Sequence, residues 1–113
     1  MSTTARRYEV RLTRGARDDL QAIYRYIAES DSPASADNVL DALMKEVEGL
    51  RTFPDRGAYP PELLALGMRQ CRQVRFKPYR MIYEVVGGQV FIHMIVDGRR
   101  DLQFLLLRRL AAR

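Results

Sequence analysis

Arginine, tyrosine and one histidine carry the chemical potential of this 113-residue chain. Arg69, Arg72, Arg75, Arg80, Arg99 and Arg100 fall in the run RQCRQVRFKPYRMIYEVVGGQVFIHMIVDGRR, and Arg108, Arg109 and Arg113 crowd the C-terminus. A guanidinium offers a planar donor fork that grips phosphate or carboxylate in two places at once. One fixed donor of this kind is worth about 10²–10³ in the rate of a phosphodiester reaction. Proton transfer would add roughly 10²–10⁴ more, and here the sequence is poor. Arginine keeps its proton near neutral pH. His93, the single histidine, alternates with Phe91 and Ile95 in an apolar run, where a histidine is more often a bonded sheet residue than a catalyst. Tyr79 and Tyr83 share one strand face, and a reference pKa of about 10 makes them poor bases. Glu84 alternates to the face opposite Tyr83. The set reads as phosphate grip without a positioned acid–base pair.

Other chemistries have less support. One Cys and one His give no Cys/His ligand spacing, and the carboxylates do not converge in sequence, so no metal is expected. Neither a P-loop nor a dinucleotide fingerprint is present, so no cofactor is expected either.

The elements that would position these residues follow from periodicity. Tyr8, Val10 and Leu12 alternate with polar neighbours as a half-buried strand. Ala16, Leu20, Ile23, Tyr24 and Ile27 recur at helical spacing, with Asp18 and Asp19 expected in the first turn, where the helix dipole favours acids. Ser30 to Pro33 breaks that helix and starts a second, with Ser32 as cap and Pro33 at the first position. Ala36, Leu40, Leu43, Met44, Val47 and Leu50 form its apolar stripe, so the two helices should make an antiparallel hairpin. Pro54, Gly57, Pro60 and Pro61 mark a long loop, with a short helical turn around Glu62 to Leu66. Three strands should follow, the last two joined at Gly87-Gly88, where both residues can take positive φ. Val90 to Val96 is nearly all apolar, as in a central strand covered on both faces. If Val90, Ile92, Met94 and Val96 face the helices, Phe91, His93 and Ile95 face away and need a cover. Asp101 to Leu110, read as a terminal helix or as a further strand, is one candidate cover, and an amphipathic helix or strand of a partner protein is the other. The expected fold is α+β: one domain over residues 1–113, ordered β-α-α-β-β-β plus a C-terminal element, with the helical hairpin packed on a mostly antiparallel sheet.

Composition narrows the setting. An apolar content of 47% fits a folded globule, and no apolar run approaches the roughly 20 residues of a membrane span. A single Cys excludes an internal disulfide, and the polar start lacks a secretory apolar region, so a cytoplasmic protein is expected. A net charge of +5 favours an acidic partner, either nucleic acid or an acidic protein segment.

Five pieces of sequence, in order, resemble the RelE/ParE superfamily of type II toxin–antitoxin toxins. They are A-x-x-D-L-x-x-I-x-x-Y-I-A (Ala16 to Ala28), the Ser-Pro-x-x-Ala break, L-x-x-F-P-x-x-G (Leu50 to Gly57), R-Q-V-x-F-K-P-Y-R-x-I-Y (Arg72 to Tyr83) and D-G-R-R-D (Asp97 to Asp101). The resemblance implies a toxin neutralised by a cognate antitoxin whose C-terminal segment wraps it. It also implies one of two targets: ParE-like members trap DNA gyrase on cleaved DNA by binding, whereas RelE-like members cleave mRNA on the ribosome. The long helical hairpin and the Ala-x-x-Asp-Leu and Phe-Pro-x-x-Gly pieces look ParE-like. Carried over residue by residue, Arg80 and Arg100 match two arginines of the RelE-type site. Cys71 and Gln73 stand where that site has lysines, and Leu106 replaces its helix tyrosine. A nuclease reading would therefore rest on Arg80, Arg100, Tyr79 and His93. The alternative, a contact surface for target or antitoxin, draws on Arg69, Arg75, Arg80, Arg99, Arg100, Arg108 and Arg109. Gyrase inhibition by binding is the leading expectation, with ribosome-dependent cleavage of mRNA as the rival.

Overall fold

The computed structural model describes residues 7–98 and 102–112. In chain order they form β1 (Glu9–Leu12), α1 (Arg14–Ser30), α2 (Pro33–Gly49), α3 (Pro61–Leu64), β2 (Cys71–Phe76), β3 (Tyr79–Val86), β4 (Gln89–Asp97) and α4 (Gln103–Ala112). The expected α+β architecture is observed, and the C-terminal element is a helix. Among the described residues no helix is long and apolar enough to cross a membrane.

Local chemistry sets the helix boundaries. The Thr13 side chain caps α1 by accepting from the Ala16 N–H, and Ser32 caps α2 by accepting from the Ser35 N–H with Pro33 at the first position. Because α1 starts at Arg14, Asp18 and Asp19 fall beyond its first turn, contrary to expectation. Asp19 is used elsewhere, as shown below.

The four strands lie in the order β1-β4-β3-β2. Chain-consecutive β2, β3 and β4 are antiparallel, while β1 runs parallel to β4. A parallel neighbour requires a long crossover, and the α1–α2 hairpin lies on the connection that supplies it. Central β4 is apolar because it is covered on both sides. On the hairpin side Ala16, Leu43, Val47, Leu50, Met81, Tyr83, Val90, Ile92 and Ile95 form one buried cluster. On the opposite side Leu63, Cys71, Ile82, Met94, Leu102 and Leu106 form a second, closed over by α3 and α4.

Strict alternation along β4 fails at one point. Ile82 pairs with Met94 but Tyr83 with Ile92, so His93 is an extra residue at a bulge. Val90 and Ile92 face the hairpin as expected, but beyond the bulge Ile95 takes that side, and Met94 and Val96 pack with the α4 cluster. The β3–β4 turn also differs from expectation, since Gly87 has φ of 59° and Gly88 is not in the positive-φ region.

Candidate functional site

Tyr83 explains why the Phe-Pro-x-x-Gly loop lies where it does. Its buried hydroxyl donates to the Pro54 carbonyl at 2.6 Å and accepts from the Gly57 N–H at 3.0 Å. A Cβ on Gly57 would come within 2.6 Å of both the Gln73 carbonyl and the Tyr83 hydroxyl, so glycine is required by close approach. Arg72 adds a second tie: it donates to the Gly57 carbonyl at 2.9 Å and its guanidinium lies over the Tyr59 ring, 4.6 Å from the centroid. These residues pin the loop to β2 and β3. Burial is the main reason the Tyr83 hydroxyl is pushed above its ordinary pKa, which makes it a poorer base still.

Arg80 is the clearest departure from the sequence expectation. Counted both as a phosphate-binding arginine and as part of a contact surface, it is instead 2% exposed. Its Nε donates to Gln73 Oε1 at 2.7 Å, and its two terminal nitrogens donate to both oxygens of Glu62 at 2.6 and 2.7 Å. The hydrogen bonds from Arg80 are the largest influence holding the Glu62 carboxyl below its ordinary value, and the charge of nearby Arg75 adds to them. The fork that could hold a phosphate holds a carboxylate of α3. Register accounts for the geometry: Arg75 and Arg80 are cross-strand partners, and an acid between two guanidiniums relieves their repulsion.

His93 is also enclosed. It is 3% exposed, and its Nε2 lies 2.9 Å from Glu84 Oε1. Sequence spacing showed no ligand set, yet the sheet register places Cys71 directly across from Glu84, and Cys71, Glu84 and His93 bring one ligand-type atom each within 4.8 Å of one another.

Tyr79 belongs to the other side of the sheet. It packs against the hairpin cluster and lines a pocket with Asp19, Tyr26, Ile95 and Asp97. Burial, then the neighbouring Asp97 and Tyr26, raise its hydroxyl pKa. The three described members of the conditional nuclease set therefore do not converge: Tyr79 faces the hairpin, whereas Arg80 and His93 are bonded on the α3–α4 side. Arg100 and Arg99 lie outside the described residues.

Arg109 reaches from α4 to α1, where it meets Asp19 at 2.8 and 3.0 Å and donates to the His93 carbonyl at 2.7 Å. The same Asp19 accepts from the Ile95 N–H at 2.9 Å. Backbone groups at the β4 bulge and just beyond it, past the end of β1, are thus satisfied by side chains. Asp19 is the main reason the Arg109 guanidinium is held above its ordinary pKa. Arg109 is consequently a clasp for α4 as well as a surface charge.

Arg69, Arg75 and Arg108 are exposed. Arg69 precedes β2, which begins at Cys71. Arg75, Lys77, Pro78, Tyr79 and Gly98 border a shallow pocket of about 260 Å³ at the β2–β3 turn. On the outer side of α4, Phe104 is 69% exposed with the Arg108 guanidinium 5.6 Å from its ring centroid. Sequence reasoning missed Glu62 and Asp19 as arginine partners, because both are distant in the chain and become neighbours only when α3 and α4 dock.

A family model described as ParE toxin of type II toxin-antitoxin system, parDE, matches residues 10–102. No curated protein gives a significant match. Among solved structures, the chain is similar to one described as the chromosomal ParDE TA system from P. aeruginosa, with a TM-score of 0.68 and 22% identity over 82% of this chain and 98% of that one. It is also similar to the toxin-antitoxin complex RelBE2 from Mycobacterium tuberculosis, with a TM-score of 0.61 and 22% identity over 85% of this chain and 97% of that one.

Proposed function

The chain belongs to the ParE toxin family of type II toxin–antitoxin systems, and on that premise we propose that it inhibits DNA gyrase by binding, without catalysis of its own. A cognate antitoxin neutralises it by covering its exposed basic surface. The observation that carries this reading is the burial of Arg80 in a bidentate pair with Glu62, on the opposite side of the sheet from Tyr79. A cleavage site needs charge stabilisation and proton transfer at one phosphate, whereas Arg80 is bonded to Glu62 and Tyr79 lies on the other side of the sheet.

Binding needs less. Exposed arginines on a folded platform hold acidic protein or phosphate without any proton transfer, and Arg69, Arg75 and Arg108 are so placed. Incubating purified gyrase with the protein, ATP and relaxed plasmid tests the proposal. Lost supercoiling together with trapped cleavage complexes supports it, and full supercoiling at saturating protein rejects it.

One observation favours the rival reading, a ribosome-dependent mRNA endoribonuclease. The pocket at the β2–β3 turn is bordered by Arg75 and Lys77 as well as Tyr79, and two exposed cations there suit a phosphate. Primer extension on translated messages tests it: cuts that disappear in Tyr79→Phe would favour this reading, and uncut messages would exclude it.

A further inference from the structure

We infer that Cys71, Glu84 and His93 form a binding site for one divalent transition-metal cation of the zinc type, enclosed between the sheet and α4. This inference is independent of the choice between gyrase and ribosome.

Three adjacent strands contribute one residue each: Cys71 from β2, Glu84 from β3 and His93 from β4. Their relative exposures are 0%, 8% and 3%, and their ligand-type atoms lie within 4.8 Å of one another. Ile82, Met94, Leu102 and Leu106 belong to the cluster packed on this side of the sheet. Each residue has an ordinary explanation when taken singly. A buried cysteine packs as a small apolar group, and a buried histidine beside a glutamate is a satisfied polar pair. Neither explanation requires sulfur, imidazole nitrogen and carboxylate oxygen to meet at one point from three strands.

The donor set selects the kind of ion. Thiolate and imidazole suit zinc-type cations, whereas magnesium and calcium take oxygen ligands. Bonds of about 2.0–2.3 Å to a tetrahedral ion place donor atoms roughly 3.3–3.8 Å apart. Closing the observed group onto an ion therefore takes side-chain movements of about an ångström, with no change of strand register. Charge also balances. Cys71 releases its thiol proton to solvent on ligation, and one thiolate plus one carboxylate neutralise a dication, leaving an uncharged cluster in apolar surroundings. A water completes the fourth position. The bound ion ties the edge strand β2 to β3 and β4 beneath α4.

The test uses the full-length protein, refolded in the presence of cobalt(II) as a spectroscopic stand-in and then titrated with zinc. One cobalt per chain, with a thiolate-to-metal charge-transfer band and the intense visible bands of a tetrahedral ion, is expected, with displacement by one equivalent of zinc. Zinc should also raise the melting temperature in a concentration-dependent way. Cys71→Ala, checked for folding by circular dichroism, should lose the charge-transfer band and the melting shift. If that variant does not fold, the wild-type spectrum alone decides. Folded wild-type protein without the charge-transfer band, or binding that persists in folded Cys71→Ala, overturns the proposal.

Discussion

The two faces of the sheet are built from different materials. The face toward α1 and α2 is closed by aliphatic side chains together with Tyr8, Phe76, Tyr79 and Tyr83, and the Tyr83 hydroxyl is bonded deep within it. The face toward α3 and α4 pairs a smaller apolar cluster with bonded polar side chains: Arg80 with Glu62, His93 with Glu84 and, at its edge, Arg109 with Asp19. The first face needs only volume and period to form. The second also carries directional bonds between side chains of different elements. Residues that look chemical in the sequence are those bonds. That comparison shifts the functional weight from the interior of the sheet to the exposed arginines.

The comparison breaks most readily at Arg80. Arg80→Ala leaves Glu62 charged and partly buried, and should destabilise the protein by about 3–5 kcal/mol in urea unfolding. Replacement of Arg80 and Glu62 together by Met and Leu should recover most of that loss. On the apolar face Leu43→Ala should be destabilising by about 2–5 kcal/mol through the cavity it leaves, with little dependence on salt. Tyr83→Phe removes the hydroxyl that holds Pro54 and Gly57, and a loss of about 1–3 kcal/mol is expected. Acid unfolding sharpens the contrast at smaller amplitude. The folded Glu62 pKa lies below its ordinary 4.5, so its contribution is present above that value and disappears as pH falls through the lowered one. Glu62→Gln should therefore flatten the stability profile below about pH 4.5, while Leu43→Ala should shift it without changing its shape.

Much of this was legible in the sequence because it depends on local rules. Thr13, absent from the sequence reading, and Ser32 with Pro33, present in it, cap the helices by the same short-range chemistry. The helical stripes, the strand alternation and the Gly87-Gly88 turn gave the element order. Counting outward from Gly87-Gly88 pairs Glu84 with Phe91, two residues from His93, whereas the pairing of Cys71 with Glu84 depends on the β2–β3 turn at Lys77-Pro78, which the sequence reading did not place. What escaped depends on docking. The bulge at His93 reverses which residues face the hairpin, and no pattern within VFIHMIV marks it. The pairing of Arg80 with Glu62 and of Arg109 with Asp19 exists only after α3 and α4 close on the sheet. A free arginine and a bonded one have the same letter.

Inhibition by binding through exposed arginines should be read out by gyrase supercoiling measured across a protein titration. Supercoiling should fall with dose as cleaved DNA accumulates. A folded Arg69→Glu, Arg75→Glu double variant should inhibit roughly tenfold more weakly, equivalent to ~1.4 kcal/mol. Undiminished supercoiling at saturating wild-type protein would contradict inhibition by binding.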